Sequence, residues 1–473
     1  MSIAATTEHA DAPVVLSEAL LKRFDAPGPR YTSYPTADLF SEAFGAADCL
    51  SAMTQRGRDA ASGGVAPLSV YVHIPFCESV CYYCACNKVI TKRHERAIDY
   101  LDALEIEIGL VRRALGTTHP VSQLHFGGGS PTFLSDAELE RVMTTLRAAF
   151  EMTDGAEISI EVDPRTVTPL RLQHLRELGF NRVSFGVQDF DPQVQQAVHR
   201  LQPFDSVREL MRSARELGFE SINADLIYGL PLQTPESFAR TIAQIGELRP
   251  DRIALYAYAH LPQRFKPQRR IVAAELPSGA DRVAMLGGAI AGFLARGYSY
   301  VGMDHFALAD DALAVAKREG RLHRNFQGYS TQPDCDLVAL GVSAIGRIGA
   351  NYHQNAKSLP EYYDALREGR LPVVRGIALS ADDLIRRDVI MALMCQGRVE
   401  FDRVNRVFGI QMQDYFAAEL DRLAPLVAAG LVEITSNAVQ VTAAGWYVVR
   451  AVAMVFDRYL QADKRPERFS RIL

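Results

Sequence analysis

Between Leu68 and about Ala307 the chain alternates two rhythms. Short β-rich runs, LSVYVHI, QLHFGG, EISIEV, RVSFGV, INADLIYG, RIALYAYA and YVGMDHF, are separated by stretches of helical periodicity. One such stretch is SDAELERVMTTLRAAF, in which Leu139, Val142, Met143, Leu146 and Phe150 fall on one helical face. Ser135 and Glu138 stand at capping-box spacing at its start. A β-then-α order repeated six or seven times predicts parallel strands joined by crossover helices. The expected class is therefore α/β, a partial (β/α) barrel of the TIM type over residues 61–375.

From about Ser380 the rhythm changes. Helical periodicity marks Asp382 to Cys395, Phe401 to Val407 and Met412 to Ala429; then come LVEI, the turn TSNA, VQVT and a helix from Ala443. This pattern predicts a C-terminal, mostly α-helical domain over residues 376–473, winged-helix-like in its order of elements. Its mixed charge favours a lid or packing role over nucleic-acid binding. Residues 1–60 read as an N-terminal arm, in which RYTSYPTA has too many aromatics to be a mere linker.

Composition adds exclusions. With 473 residues the chain is long enough for one large domain plus a smaller one. Its 48% hydrophobic residues, 23% charged residues and formal net charge of -5 carry neither a nucleic-acid footprint nor a basic membrane face. No apolar run approaches the roughly 18 residues of a membrane span. The first residues hold acidic side chains and no basic segment ahead of the short apolar run Ala12 to Leu16, unlike a signal peptide. A cytoplasmic protein is expected, without nucleic-acid or membrane partners.

The cysteines change the picture most. Of seven, four fall within ten residues, Cys77 to Cys86, which is not the distribution of a disulfide framework. Cys49, Cys335 and Cys395 stand alone and read as small buried hydrophobes. Cys77, Cys81 and Cys84 form C-x3-C-x2-C, with Cys86 beyond, directly after the first strand and so where barrel enzymes carry their sites. Thiolates are the natural ligands of a [4Fe–4S] cluster, and four saturate it. Three leave one iron open to the amino and carboxylate groups of S-adenosylmethionine. Two other readings stay open: a zinc site, although no second C-x2-C pair exists, and a ferredoxin-like cluster in which Cys86 is the fourth ligand despite its awkward C-x-C spacing.

Strand alternation places further polar residues on the inward face. Glu157, Ser159 and Glu161 oppose Ile158, Ile160 and Val162; Ser184, Gly186 and Gln188 oppose Val183, Phe185 and Val187; Asn223 and Asp225 oppose Ile222, Ala224 and Leu226. GGGSPT at Gly127 to Thr132 removes side chains after the second strand, so backbone N–H groups can approach a ligand.

The cysteine loop resembles that of the radical S-adenosylmethionine superfamily. Together, YVHIPFCxxxCYYCxCNK, HFGGGSPT, EISIEVDPR, GFNRVSFGVQDF, DLIYGLP, YAHLP, GMDHFA and HRNFQGYST resemble the oxygen-independent coproporphyrinogen III oxidase family, from RYTSYPTA to the C-terminal FSRIL. The resemblance implies oxidative decarboxylation of two propionates of coproporphyrinogen III to vinyl groups, giving protoporphyrinogen IX by way of a 5'-deoxyadenosyl radical. It implies Cys77, Cys81 and Cys84 as cluster ligands with Tyr71 and Tyr83 beside them. It further implies contacts of Gly128, Gly129, Ser130, Glu161, Gln188, Arg200, Asp225, Ala259 and Ile345 with S-adenosylmethionine, of which the family holds two molecules. Cys86 matches the family's extra, non-ligating cysteine, a catalytic candidate without a derived role. An anionic tetrapyrrole calls for arginines, and Arg30 and Arg264 are the candidates. An unidentified electron donor and acceptor and a monomeric state are expected. The rival is a related heme-binding chaperone branch without decarboxylase activity, which lacks the fourth cysteine and the RYTSYPT segment. Phe126 and Ser130 depart from a common tryptophan and threonine, and His199 from a common asparagine.

Overall fold

The computed structural model describes residues 23–24, 26–63, 65–462 and 469. They form two compact units: Thr32–Arg387, and the described residues up to Tyr31 together with those from Asp388 onward.

The larger unit is built on one twelve-stranded sheet. Its strands are β1 (Leu68–Ile74), β2 (Pro120–Gly128), β3 (Glu151–Val162), β4 (Arg182–Gln188), β5 (Ser221–Tyr228), β6 (Arg252–Ala257), β7 (Tyr298–Gly302), β8 (His305–Leu308), β9 (Leu337–Leu340), β10 (Ile345–Ile348), β11 (Asn351–Asn355) and β12 (Val373–Ala378). In these labels the spatial order is β12-β11-β10-β9-β1-β2-β3-β4-β5-β6-β8-β7. Strands β1 to β6 pair in sequence, all parallel, and β9 pairs parallel with β1 on its other side. The order is linear, with antiparallel strands at both edges, so the barrel stays open as expected.

Crossover helices cover one face. The helix Arg96–Leu115 buries Ala97, Tyr100, Leu101, Leu104, Ile108 and Val111, and each large aliphatic among them contributes roughly 1.5–3 kcal/mol by leaving water. Asp136–Ala149 buries Leu139, Val142, Met143 and Leu146, and its capping box is formed by Ser135 and Glu138 as their spacing requires. Even-numbered β1 residues from Leu68 to Ile74 are fully buried under this layer.

One strand expectation is corrected. YVGMDHF is not a seventh parallel strand but the turn of a hairpin, β7 and β8, because Gly302 and Met303 adopt positive φ (149° and 49°) and reverse the chain. The seventh parallel strand is β9, whose four residues are all buried and too few to show a period. The Arg30–Ala37 segment is packed rather than loose: Tyr31, Ser33 and Tyr34 are buried.

In the smaller unit, Arg398–Glu400, Val432–Ile434 and Ala438–Val441 form a three-stranded antiparallel sheet, the last two being the expected hairpin. The stretch expected as one helix from Met412 to Ala429 is divided into Met412–Tyr415, Ala417–Arg422 and Ala424–Ala428. Pro425 opens the third piece, since its ring nitrogen has no proton for a helical hydrogen bond. Among the described residues no helix is long and apolar enough to cross a membrane.

Candidate functional site

The cysteine loop leaves β1 and is fastened at each end. Val89 N–H donates to Pro75 O (2.7 Å), Thr91 N–H to Cys77 O (2.9 Å), Gly129 N–H to Ile74 O (2.8 Å) and Ser130 N–H to Phe76 O (2.8 Å). Tyr82 N–H donates to Val198 O (3.0 Å), and Lys88 Nζ donates to Cys84 O at 3.0 Å and Cys86 O at 3.3 Å. A cavity of about 170 Å³ opens beside the loop, lined by Cys77, Cys81, Cys84 and Cys86, by Gly128 to Pro131, and by Glu161, Asp163, Gln188, Arg200 and Asp225 among others. Tyr83 lines it too. A second cavity of about 380 Å³, bordered by Tyr71, His73, His125, Phe326, Gln327 and Ile345, shares Cys86, Gly128 and Glu161 with the first.

Sheet register explains why residues far apart in sequence meet here. Tyr71 lies beside His125, His125 beside Ser159, Glu161 beside Ser184, Ser184 beside Asn223 and Gly186 beside Asp225. Tyr71 stacks on His125 (centroids 5.9 Å apart) and its hydroxyl is 3.1 Å from His73 Nδ1. His125 reaches Ser159 at 2.6 Å and Glu161 at 3.4 Å, and Gly128 N–H donates to Glu161 at 3.2 Å. Asp225 accepts from Ser184 at 2.9 Å and from Asn223 at 2.9 Å.

These contacts separate the two carboxylates. Burial pushes Glu161 up, but His125 and the Gly128 amide more than offset it, so Glu161 ends below the ordinary carboxylate range. Burial and then the Glu161 charge raise Asp225 to about 6. One acid is thus held firmly ionised and the other close to titration.

The cysteine sulfurs lie in a polarised setting. Arg200 and Arg165 each donate to Cys81 Sγ at 3.4 Å; both also pair with Asp163, and Arg200 Nη2 donates to Gly186 O at 2.6 Å. Burial and the neighbouring thiols push Cys77 up to about 12, whereas the hydrogen bond from Cys86 brings Cys84 down to about 6. Such a thiol stays protonated as a free group, and a bound metal would displace its proton. Arg200 Nε is buried without a partner among the described residues, a donor left for a ligand. Among those residues no three His, Cys, Asp or Glu side chains are gathered for a single ion; the three thiols stand around a cavity instead. This donor set fits an iron–sulfur cluster, and the glycine turn and carboxylates beside it fit a zwitterionic cofactor.

The structure therefore brings Cys77, Cys81, Cys84, Cys86, Tyr83, Gly128, Gly129, Ser130, Glu161, Gln188, Arg200 and Asp225 to one cavity and Tyr71 and Ile345 to the adjoining one. Ala259 borders neither; its carbonyl accepts from Gln268 (3.1 Å), whose amide also donates to Tyr83 O (3.0 Å). Arg30 belongs to the other compact unit. Sequence reasoning passed over His73, His125, Asp163, Arg165, Phe326 and Gln327. His73 shares the inward face of β1 with Tyr71 by simple alternation and was within reach; the Asp163 to Cys81 link, through guanidiniums, was not. His199 is accommodated because its φ of 56° is one that both asparagine and histidine tolerate, and its ring stacks on Tyr82 at 5.1 Å.

Three thiols around an open cavity at strand ends, with a glycine turn across from them, define a radical S-adenosylmethionine protein, and the model of that superfamily matches residues 71–245. A second model, the HemN C-terminal domain, matches residues 379–448. The chain is 50% identical over 455 residues to oxygen-independent coproporphyrinogen III oxidase from Salmonella typhimurium and equally so to that from Escherichia coli, covering 96% of this chain and 98% of each relative. The solved structure of the E. coli oxidase, described as a radical SAM enzyme, superposes with a TM-score of 0.88 at 49% identity, over 93% of this chain and 98% of that one. The chain belongs to the oxygen-independent coproporphyrinogen III oxidase family.

Proposed function

We propose that the chain oxidatively decarboxylates two propionates of coproporphyrinogen III to vinyl groups, giving protoporphyrinogen IX. The observation that carries the reading is the thiol-lined cavity joined to a larger one through Cys86, Gly128 and Glu161, in a chain so similar to named oxidases along its whole length. When bound, the [4Fe–4S] cluster and S-adenosylmethionine supply a 5'-deoxyadenosyl radical that takes a hydrogen atom from an unactivated carbon.

The protein's own residues divide the remaining work. Cys77, Cys81 and Cys84 hold the cluster, and Arg165 and Arg200 stabilise the charge on the Cys81 sulfur. Gly128, Gly129 and Ser130 offer backbone to the methionine part of the cofactor, Glu161 accepts from its amine, and Asp225, Gln188 and Arg200 position the rest. Tyr71 and Ile345 hold a second cofactor molecule in the larger cavity; Tyr83 and Ala259 support the first. Each propionate loses one hydrogen atom, one carbon dioxide and one electron, so the enzyme needs an electron acceptor as well as a donor. The oxidase acts as a monomer in the cytoplasm.

The test is anaerobic: reconstituted protein, reductant, S-adenosylmethionine and coproporphyrinogen III, with 5'-deoxyadenosine and protoporphyrinogen IX followed together. Formation of both is expected; deoxyadenosine without porphyrinogen product, from fully loaded protein, would refute the decarboxylase reading.

A further inference from the structure

Two cations, Lys357 and Arg375, are tied by hydrogen bonds to residues that line the larger cavity, and the chemistry above uses neither. Lys357 follows Ala356, whose carbonyl accepts from Ser343 N–H at 2.7 Å, and the Lys357 carbonyl itself accepts from the Asn87 amide at 3.0 Å. Asn87 and Ser343 both line the cavity. Arg375 reaches the same loop through one intermediary: its Nε donates to Gln354 Oε1 at 2.7 Å, and Gln354 donates to Ser343 O at 3.0 Å. Arg264 comes from the turn after β6 and lies over Phe265 at 5.8 Å, while Arg375 lies over Phe40 at 5.9 Å.

Among the described residues none of the three has a carboxylate partner; their polar and ring contacts are those just given. Arg182, Arg252 and Arg387, by contrast, each pair with a carboxylate. Desolvation first, then the charges of Arg375 and Arg264, hold the Lys357 ammonium below its ordinary value. Like charges gathered without a counter-charge repel, and an anion placed among them relieves that repulsion.

We propose that Lys357, Arg375 and Arg264 form a carboxylate subsite at the mouth of the larger cavity, and that it binds the propionates that do not react. The proposal rests on the tetrapyrrole reading above. The distinction between propionates follows from the reaction itself. A carboxylate that leaves as carbon dioxide loses its charge, so an ion pair would stabilise the starting state more than the transition state and slow the step. Cations are therefore useful on the propionates that survive and harmful on those that are lost. The same subsite must then hold the product, which keeps two propionates.

The test removes each charge while keeping an apolar stem, with Lys357→Met, Arg375→Met, Arg264→Met and the triple variant, in cluster-loaded protein. Binding is read by fluorescence titration with coproporphyrin III, which has four propionates, and with protoporphyrin IX, which has the two survivors. A partly exposed ion pair is worth about 1.4- to 5-fold in affinity. Each single variant is expected to weaken both porphyrins by about that factor, the triple by about tenfold or more, with KM for coproporphyrinogen III rising in parallel and kcat held within about twofold. Lys357→Arg is expected to keep wild-type affinity, and Arg367→Met, which removes an exposed charge paired with Asp364, to change nothing. Triple-variant affinity equal to wild type, with iron content intact, would overturn the subsite and leave the decarboxylase reading standing. Weakened coproporphyrin III with unchanged protoporphyrin IX would overturn the assignment to surviving propionates. Failure of the wild type itself to make protoporphyrinogen IX would instead refute the parent reading.

Discussion

Replacing Gly129 by alanine tests whether the glycine turn and the cysteine loop are one mechanical unit. A Cβ at this position would lie 2.7 Å from both Pro75 C and Pro75 O and 2.8 Å from Phe76 O. All three neighbours are backbone, so no side chain can rotate away. Ordinary van der Waals contact needs roughly 3.5 Å, and relief therefore means separating the strands by most of an ångström. The hydrogen bonds from Gly129 N–H to Ile74 O and from Ser130 N–H to Phe76 O, both 2.8 Å, resist that movement. Overpacking costs about 1–3 kcal/mol, and weakening those two bonds adds about 1 kcal/mol each, a total of roughly 3–5 kcal/mol. A unit this large shifts by at most about 2–4 °C per kcal/mol, so Tm should fall by several degrees. Because Phe76 precedes Cys77, bound iron after reconstitution should fall as well. The comparison is Gly218→Ala: Gly218 has φ of 79° and open space around its Cβ position, so that variant pays only a left-handed backbone cost of roughly 1–2 kcal/mol and keeps its iron. A Gly129→Ala protein with wild-type Tm and a full iron complement would refute the steric argument.

Arg200→Met removes one of two guanidiniums at Cys81 Sγ; the cluster potential should move to more negative values, checked by redox titration, with Arg165→Met giving a shift of the same sign. Asp225 is raised to about 6, so S-adenosylmethionine affinity, measured by equilibrium dialysis, should weaken as pH falls through 6, and Asp225→Asn should bind weakly with no change across that window. Glu107, buried beneath β9, accepts from Gly341 N–H (2.7 Å), Tyr362 (2.6 Å) and Asn355 (2.6 Å), yet burial raises it to about 7. Its folded pKa is above the unfolded value near 4.5, so its stabilisation is complete below pH 4.5 and is lost as pH rises toward 7. The stability deficit of Glu107→Gln relative to wild type, from denaturant unfolding, should accordingly shrink over that interval; a constant deficit would refute the assignment.

Much of this site was legible in one dimension because the relevant information is local. Period-two alternation sorts Glu161, Ser184, Asn223 and Asp225 onto the inward face of their strands, and three thiols within eight residues announce metal chemistry whatever the fold around them. Capping by Ser135 and Glu138 is likewise a matter of three-residue spacing and was realised. Backbone conformation at single residues was harder to read: Met303 turns YVGMDHF into a hairpin through a positive φ that few methionines adopt.

The residues that only the tertiary structure brought together share one physical feature: their partners are set by register between strands or by long side chains crossing loops. Asp163 links to Cys81 only through Arg165 and Arg200. His125 meets Glu161 because β2 and β3 align at Phe126 and Ile160. The charges of Arg375 and Arg264 both act on Lys357 although those two arginines stand 111 positions apart, and nothing in the spacing of their neighbours foretells it. By itself the sequence determined which atoms could do chemistry, since residue type and periodicity are local properties. The tertiary structure decided which of those atoms share a cavity, because the pairing of distant strands is a property of the packed sheet as a whole.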